Sequence, residues 1–466
     1  MTLASEASIS SKIERMDRRI RRGHGELLSR GIDQARLVIE GSPAAADAFS
    51  FLVLGDSGSS RYGAASPQRQ VAELLFDHQQ DVGFVLHTGD LVYLVGSSEQ
   101  YPRNFIRPYR EWLVGGEHWR RLRFDAMTFR LPFLPVPGNH DYYDLSRPLV
   151  LLAGLSNPVR RLWPSLVFDV GSHGSRVGEA YSRAFLDGLA LLPEEKLAGH
   201  LDRHYRAELD GRRCLAYRPG QFTRLPNRYY HFRWAGVDVF ALDSNTLHQD
   251  GAAGEGAGGG GSGGGGSGPE GDGDGDARQK EWLLKGLVAS WRNPDVRGRI
   301  LVLHHPPYAS EATKWREAQT LAVRRQLREV LDQVAAELGA PTPQRPLLNL
   351  VFTGHAHCLE LMRSGDTGHG DSHIPWLICG GGGYSLRRQR PQGGTLLEGP
   401  PGQERPVAHS ELFVGRSGHG AKLRRRFTAL RVDAAAGSPL KLTLRPLVSE
   451  KVSGHWRKEQ LSPINL

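Results

Sequence analysis

Three cysteines in 466 residues, Cys214, Cys358 and Cys379, are too few and too scattered for a disulfide framework. Each reads as a small buried hydrophobe. No apolar run reaches the roughly 18 residues that cross a bilayer, and the N-terminal MTLASEASISSKIERMDRRIRRGHGELLSR has no apolar leader segment. These absences predict a soluble, cytoplasmic protein with no membrane partner. Acidic charge is also short: 50 Asp and Glu against 59 Lys and Arg leave a net charge of +9. The surplus lies in SLRRQRPQGG (385–394) and AKLRRRFTALRV (421–432). Solvated surface is the ordinary reading of such runs, and an anion-attracting face, nucleic acid included, is the alternative.

Glycine, by contrast, is abundant, at 57 residues. Much of it falls in GAAGEGAGGGGSGGGGSGPEGDGDGD (251–276), which has nothing to bury and reads as a flexible loop; its aspartates lack the spacing of a calcium loop. Residues 1–47 read as a helical extension, with Ile13, Met16, Ile20, Leu27, Leu28, Ile32, Leu37 and Ile39 at helix-like spacing over 8–40. A core domain is expected over 48–450, carrying a mostly helical insertion at 145–225 and followed by a tail at 451–466.

Within that core the pattern is α/β. AFSFLVLG (48–55) reads as a buried strand, SPQRQVAELLFDHQQ (66–80) as a helix capped by Ser66 with Pro67 at its first position, and VGFVLHTGD (82–90) as the next strand. Further strands are expected at LPFLPVPGNHD (131–141), RILVLHHPPY (299–308), LLNLVFTGHAHCLEL, IPWLICGGGGYSL and a terminal pair over 422–448, with a hairpin at 228–244. Helices are expected at 276–291 and 311–338. Trp112 and Trp119, in the segment before the third strand, read as cap packing.

Five of these strands end in residues of metal-ligand type: Asp56, Asp90, Asn139-His140-Asp141, His304-His305, and His355 with His357. The carboxyl ends of strands in an open α/β sheet line one crevice, so residues far apart in sequence converge there. Gly55, Gly89, Gly138 and Gly354 would let the chain turn off each strand. A lone Gly-Asp after a strand is ordinarily a turn, but five such endings are not explained by turn chemistry. Two carboxylates, an amide and several imidazoles suit a pair of cations sharing one carboxylate, with Asp90 as the bridge.

The ordered set GDSG, GDLVY, GNHD, LHHPPY and GHAH resembles the calcineurin-like metallophosphoesterase superfamily, and within it the purple acid phosphatase branch. The resemblance implies a four-layer α/β/β/α sandwich with its metals at the strand ends. Most branches carry a histidine two residues after the first aspartate, where this chain has Gly58. The purple acid phosphatase branch has instead a tyrosine three residues after the bridging aspartate, where this chain has Tyr93. Carried over, Asp56, Asp90, Tyr93 and His357 would hold the first metal, and Asp90, Asn139, His304 and His355 the second. The metals would be iron paired with iron, zinc or manganese, since a phenolate suits Fe(III).

The implied activity is hydrolysis of phosphate esters by in-line attack of a metal-bound hydroxide. His140 would protonate the leaving group, with Asp141 as its orienter; an imidazole titrates near neutrality, which suits the task. The doubled histidine leaves His304 and His305 competing. His304 is preferred because His-His-Pro-Pro-Tyr matches both the strand end and the residues after it, and His305 becomes a phosphate contact. ALDSN (241–245) would support the sheet, and CGGGGYSLR (379–387) would form a glycine-rich loop near the crevice. The alternatives are a cyclic-nucleotide phosphodiesterase or nuclease of the same superfamily, and a metal-bearing scaffold without catalysis.

Overall fold

The structure, a computed structural model, describes residues 4–20, 24–58, 66–145, 176–248, 275–339 and 346–466. The expected loop at 251–276 lies almost wholly outside the described residues, as does the first part of the expected insertion. Helix α1 (Ile9–Ile20) is followed by strand β1 (Ile32–Ile39), β2 (Phe49–Leu54), helix α2 (Pro67–Asp77), β3 (Val82–His87) and β4 (Phe133–Pro135). Helix α3 (Glu194–His204), the hairpin β5 (Tyr230–Trp234) and β6 (Val237–Ala241), α4 (Ala277–Arg292) and β7 (Gly298–Val302) come next. Helix α5 (Ala318–Leu338) and strands β8 (Leu350–Thr353), β9 (Leu359–Ser364), β10 (Pro375–Cys379), β11 (Arg424–Ala434) and β12 (Leu442–Val452) complete the frame.

Local chemistry sets the helix starts. Ser66 Oγ accepts from the Arg69 amide at 3.2 Å with Pro67 behind it, and the Asp276 side chain caps α4 through Gln279 N. Among the described residues the strands assort into an eleven-stranded sheet, an eight-stranded sheet and a separate two-stranded pair. In the smaller sheet, β2, β3 and β4 run parallel with Leu54 beside His87 and His87 beside Pro135. In the larger, β6, β7 and β8 run parallel, with Ala241 beside Val302 and Val302 beside Phe352.

Side chains alternate across each strand, which makes the layers. Val239, Ile300, Val302, Leu350 and Phe352 join the core between the sheets, while Phe240, Leu301, Leu303 and Val351 pack with Leu283, Leu287, Val323 and Leu327 of α4 and α5. Both sides of these strands are covered, so their sequences are unbroken apolar runs. Aromatic rings lock the sheets face to face: Phe51 meets Phe352 edge-on at 5.8 Å, and Phe84 meets Phe232 and Trp234, each at 5.4 Å. Burying each ring contributes about 1.5–3 kcal/mol. Helix α2 covers the outer face of the small sheet with Val71, Ala72, Leu74 and Leu75 buried. The result is the expected four-layer α/β/β/α sandwich.

Several elements depart from expectation. Residues 32–39, expected as helix, form β1; Ala35, Leu37 and Ile39 are buried with period two, and Leu37 pairs with Leu215. A long-range partner decides that segment, and helical spacing does not reveal it. The described part of the insertion includes α3 but also strand Arg212–Tyr217. LLNLVFTGHAHCLEL holds two strands, β8 and β9, and the tail strand His455–Gln460 pairs with β12.

One buried network ties the sheet edge to the site loops. Arg228 reaches Asp243 Oδ2 at 3.0 Å and Thr246 Oγ1 at 3.0 Å, and pairs with Asp276. Asp243 Oδ2 also accepts from Tyr142 Oη at 2.6 Å, and Asn245 Nδ2 donates to the Pro137 carbonyl at 2.9 Å. The loop carrying Asn139 is thus held from behind. Arg228→Met leaves two buried carboxylates without their cation and is expected to destabilise the protein by about 3–5 kcal/mol. Denaturant unfolding of the variant beside wild type measures this.

Candidate metal centre

The chain runs from Leu54, His87, Pro135, Val302 and Thr353 straight into the predicted ligands, so the strand ends of both sheets meet at one place. The turns are made differently from expectation. Asp56, Asp90 and His355 themselves adopt left-handed backbone, at φ 50°, 56° and 65°, and of the four glycines only Gly89 does so, at 99°. Such strain in non-glycine residues concentrates at working sites. Gly55, Gly138 and Gly354 provide space instead. A Cβ on Gly354 would lie 2.6 Å from Asp56 Oδ2, one on Gly138 would strike Asp90 Oδ1, and one on Gly55 would strike Thr88 Oγ1.

The site is crowded with acceptors. Tyr93 Oη lies 3.0 Å from Asp56 Oδ1 and 2.6 Å from Asp90 Oδ2, yet it has one hydrogen to give. His304 donates from Nδ1 to the Thr88 carbonyl at 2.7 Å, which leaves the Nε2 lone pair facing Asn139 Oδ1 at 2.9 Å and Asp90 Oδ1 at 3.5 Å. His357 donates from Nδ1 to the Ser385 carbonyl at 2.8 Å, and its Nε2 faces Tyr93 Oη at 3.4 Å and Asp56 Oδ1 at 3.5 Å. His355 donates from Nε2 to Glu317 Oε2 at 2.7 Å, so its Nδ1 faces Asn139 Oδ1 at 3.1 Å. Asn139 keeps that orientation by donating from Nδ2 to Tyr143 Oη at 2.7 Å.

Lone pairs turned toward one another in a buried site need positive charge between them. Each imidazole has its other nitrogen committed to an outer acceptor, as metal-ligating histidines do. Asp56, Asp90 and His304 form one buried group able to hold a cation, with Tyr93 and His357 beside Asp56 and with Asn139 beside His304 and His355. The set therefore fits a dinuclear metal centre.

The electrostatics agree. Burial, then the charge of Asp90, pushes the Asp56 carboxyl well above the usual carboxylate range. Burial acts the same way on Asp90, but His304, His140 and the Tyr93 hydroxyl together outweigh it and hold Asp90 low. Burial and the two carboxylates raise Tyr93 far above an ordinary phenol. Burial lowers His304 and His355, and it pushes His357 down to about 3. The imidazoles are therefore neutral, with lone pairs available.

The structure places the remaining predicted residues as follows. His140 lies at the cavity wall, its Nδ1 donating to the Leu94 carbonyl at 2.6 Å and its Nε2 4.0 Å from Asp90 Oδ2. Asp141, expected to orient it, accepts instead from the amides of Gly138 at 2.9 Å, Asp90 at 3.1 Å and Leu91 at 3.3 Å. It pins the loop that presents Asp90 and leaves His140 to Leu94. His305, expected at phosphate, is fully buried, bound through Nδ1 to Ser244 Oγ at 2.8 Å, and does not line the cavity. Its ring stands 4.4 Å from that of His355, and with His304 and His355 it forms a second group able to hold a cation. Trp112 packs edge-on against Phe76 at 5.1 Å, away from the cavity.

A cavity of about 330 Å³ opens over the cluster, lined by Asp90, Asn139, His140, His355 and His357. Sequence reading missed part of its wall, Tyr143, Glu311, Lys314 and Glu317, while Tyr384 and Arg387 come from the 379–387 loop expected near the crevice. Tyr384, from the glycine-rich segment after β10, stacks on Tyr93 at 3.8 Å and 3°. Glu311 to Glu317 precede α5, in a stretch whose composition reads as helix. The signal lay in position alone, since the segment directly follows His304-His305-Pro-Pro.

No curated protein matches the chain. Among solved structures it is similar to a purple acid phosphatase from yellow lupin (Lupinus luteus) seeds at 14% identity and a TM-score of 0.45, over 91% of this chain and 56% of that one. The chain thus spans little more than half the lupin enzyme's length. It is similar to GAP50, the anchor in the inner membrane complex of Plasmodium, at 12% identity and 0.40, over 89% and 90%. PhoD follows at 13% identity and 0.42, over 90% and 73%. Such weak likenesses carry no functional weight. Residues 49–206, which bring in Asp56, Asp90, Tyr93, Asn139 and His140, match the family model of the calcineurin-like phosphoesterases, and the chain carries a domain of that family.

Proposed function

We propose that the protein hydrolyses phosphate esters at a dinuclear metal centre of the purple acid phosphatase type. The observation that carries this reading is the crowding of carboxylate, amide and imidazole acceptors around Asp90, with every outer imidazole nitrogen already committed. In this assignment Asp56, Asp90, Tyr93 and His357 hold the first metal, and Asp90, Asn139, His304 and His355 the second. The metals, when bound, draw charge from the phosphate oxygens and make a water nucleophilic at neutral pH. Tyr93 as phenolate favours Fe(III) in the first position, with iron, zinc or manganese in the second.

The chain's own residues do the rest. The cavity admits the ester with its phosphoryl group toward Asp90 and Asn139. Leu94 fixes the His140 ring through Nδ1, so a proton carried on Nε2 points into the cavity and can pass to the leaving oxygen as the P–O bond breaks. A proton donor so held is superfluous in a mere metal-bearing scaffold. The arginines of the C-terminal third largely serve the sheet: Arg424 pairs with Glu450, Arg426 with Glu459, and Arg431 and Arg445 with Asp433. That pairing supports a small ester over nucleic acid.

Purified protein is expected to carry about two equivalents of transition metal. Asp90→Ala should hold fewer than about one and lose turnover of p-nitrophenyl phosphate; a fully active Asp90→Ala would overturn the reading. His140→Ala should lower kcat by about 10²–10⁴-fold on alkyl phosphates, which need a proton on the leaving oxygen. The loss should be far smaller on p-nitrophenyl phosphate, and a series of leaving groups measures the difference. Oxidised, iron-loaded protein should absorb visible light, and Tyr93→Phe should abolish the band. Iron-loaded wild type without colour would remove Tyr93 from the ligand set.

A further inference from the structure

One wall of the cavity is built from the turn between β7 and α5, Glu311 to Glu317. Lys314 Nζ lies 2.6 Å from Glu317 Oε1, and the other oxygen of that carboxylate, Oε2, accepts from His355 Nε2 at 2.7 Å. Glu317 therefore bridges the cavity's lysine and one of the imidazoles that face Asn139. Lys314 and Glu317 are 20% and 27% exposed, enough to face incoming substrate and too little to wander. Among the described residues lining the cavity, Lys314 and Arg387 bring the permanent cations, and Glu311 and Glu317 bring carboxylates on the same side.

A phosphate monoester carries close to two negative charges at neutral pH, and a diester carries one. In a cavity walled by Glu311 and Glu317, the second charge is repelled unless a cation meets it. The Lys314 ammonium has three hydrogens, of which Glu317 takes one.

We propose that Lys314, steered by Glu317, donates to the terminal oxygens of a dianionic phosphate monoester and so makes this cavity select monoesters over diesters. This rests on the phosphoesterase reading above. Glu317 is the positioning residue of the pair, since it fixes both the lysine and the His355 tautomer.

The test uses the full metal-loaded chain with p-nitrophenyl phosphate, bis(p-nitrophenyl) phosphate and inorganic phosphate as a competitive inhibitor. Loss of a charged hydrogen bond predicts that Lys314→Ala lowers kcat/KM for the monoester roughly 10- to 100-fold and raises the phosphate inhibition constant similarly. The diester should lose no more than about threefold, since it lacks the charge that Lys314 meets. Lys314→Arg should recover most of the monoester rate, and both variants should keep wild-type metal content. Equal loss on both esters, an unchanged inhibition constant, or loss of metal from Lys314→Ala would overturn the proposal. Those results leave an active wild type and so spare the phosphoesterase reading, whereas a metal-loaded wild type inert toward both esters would overturn both.

Discussion

Everything at the strand edge depends on one electrostatic constraint: buried oxygen and nitrogen lone pairs converge with too few hydrogens to separate them. Tyr93 has one proton for two carboxylates, and the inward nitrogens of His304, His355 and His357 have none. Such a cluster is unfavourable by itself. Desolvation penalises the charged forms, and the hydrogens of Tyr93 and of the His140 and His355 amides are too few for all the acceptors. It persists because the surrounding fold fixes each group independently, and the same poverty of protons that makes it costly makes it a receptor for cations.

The fold supplies that fixation at three levels. Parallel register sets Leu54, His87 and Pro135 side by side in one sheet, and Ala241, Val302 and Phe352 in the other, so the edges advance together. Aromatic contacts between Phe51 and Phe352 and around Phe84 hold the sheets in mutual position. Polar pins then hold the loops, Asp141 on the amides of Gly138, Asp90 and Leu91, and Arg228 with Asp243 behind Pro137. The candidate ligands are thereby held by hydrogen bonds and packing on rigid elements.

Much of this was legible in the sequence because strand ends carry a double signal. Apolar runs such as SFLVL and ILVL announce buried strands, and a polar pair following at once has no packing reason to be there. The fold class and the convergence of Asp56, Asp90, Asn139, His304, His355 and His357 both followed from that signal. What was not legible depended on contacts between distant segments. β1 is a strand because it pairs with Arg212–Tyr217 and with β5, and Asp141 turns from His140 because three amides face it. Lys314 and Glu317 sit in a turn whose composition suits helix. Gly55, Gly138 and Gly354 provide room for carboxylates and a threonine, a use that apolar runs and turn chemistry do not signal, while the strained backbone is taken up by Asp56, Asp90 and His355.

Gly58 and Tyr93 show how one exchange sets the character of the proposed centre. A Cβ on Gly58 would lie 2.5 Å from Tyr93 Cδ2, so a histidine cannot occupy that position while the tyrosine is in place. Tyr93 in turn has little freedom, its ring stacked on Tyr384 at 3.8 Å and met by His140 at 4.4 Å. The pair is mutually exclusive by volume. Choosing the phenol gives one half of the cluster three oxygens and one nitrogen, against two oxygens and two nitrogens in the half built on Asn139, His304 and His355. An oxygen-rich, anionic half suits a harder and more highly charged ion, and the nitrogen-rich half suits a divalent one. The asymmetry of the proposed metal pair thus traces to the absence of a side chain at residue 58.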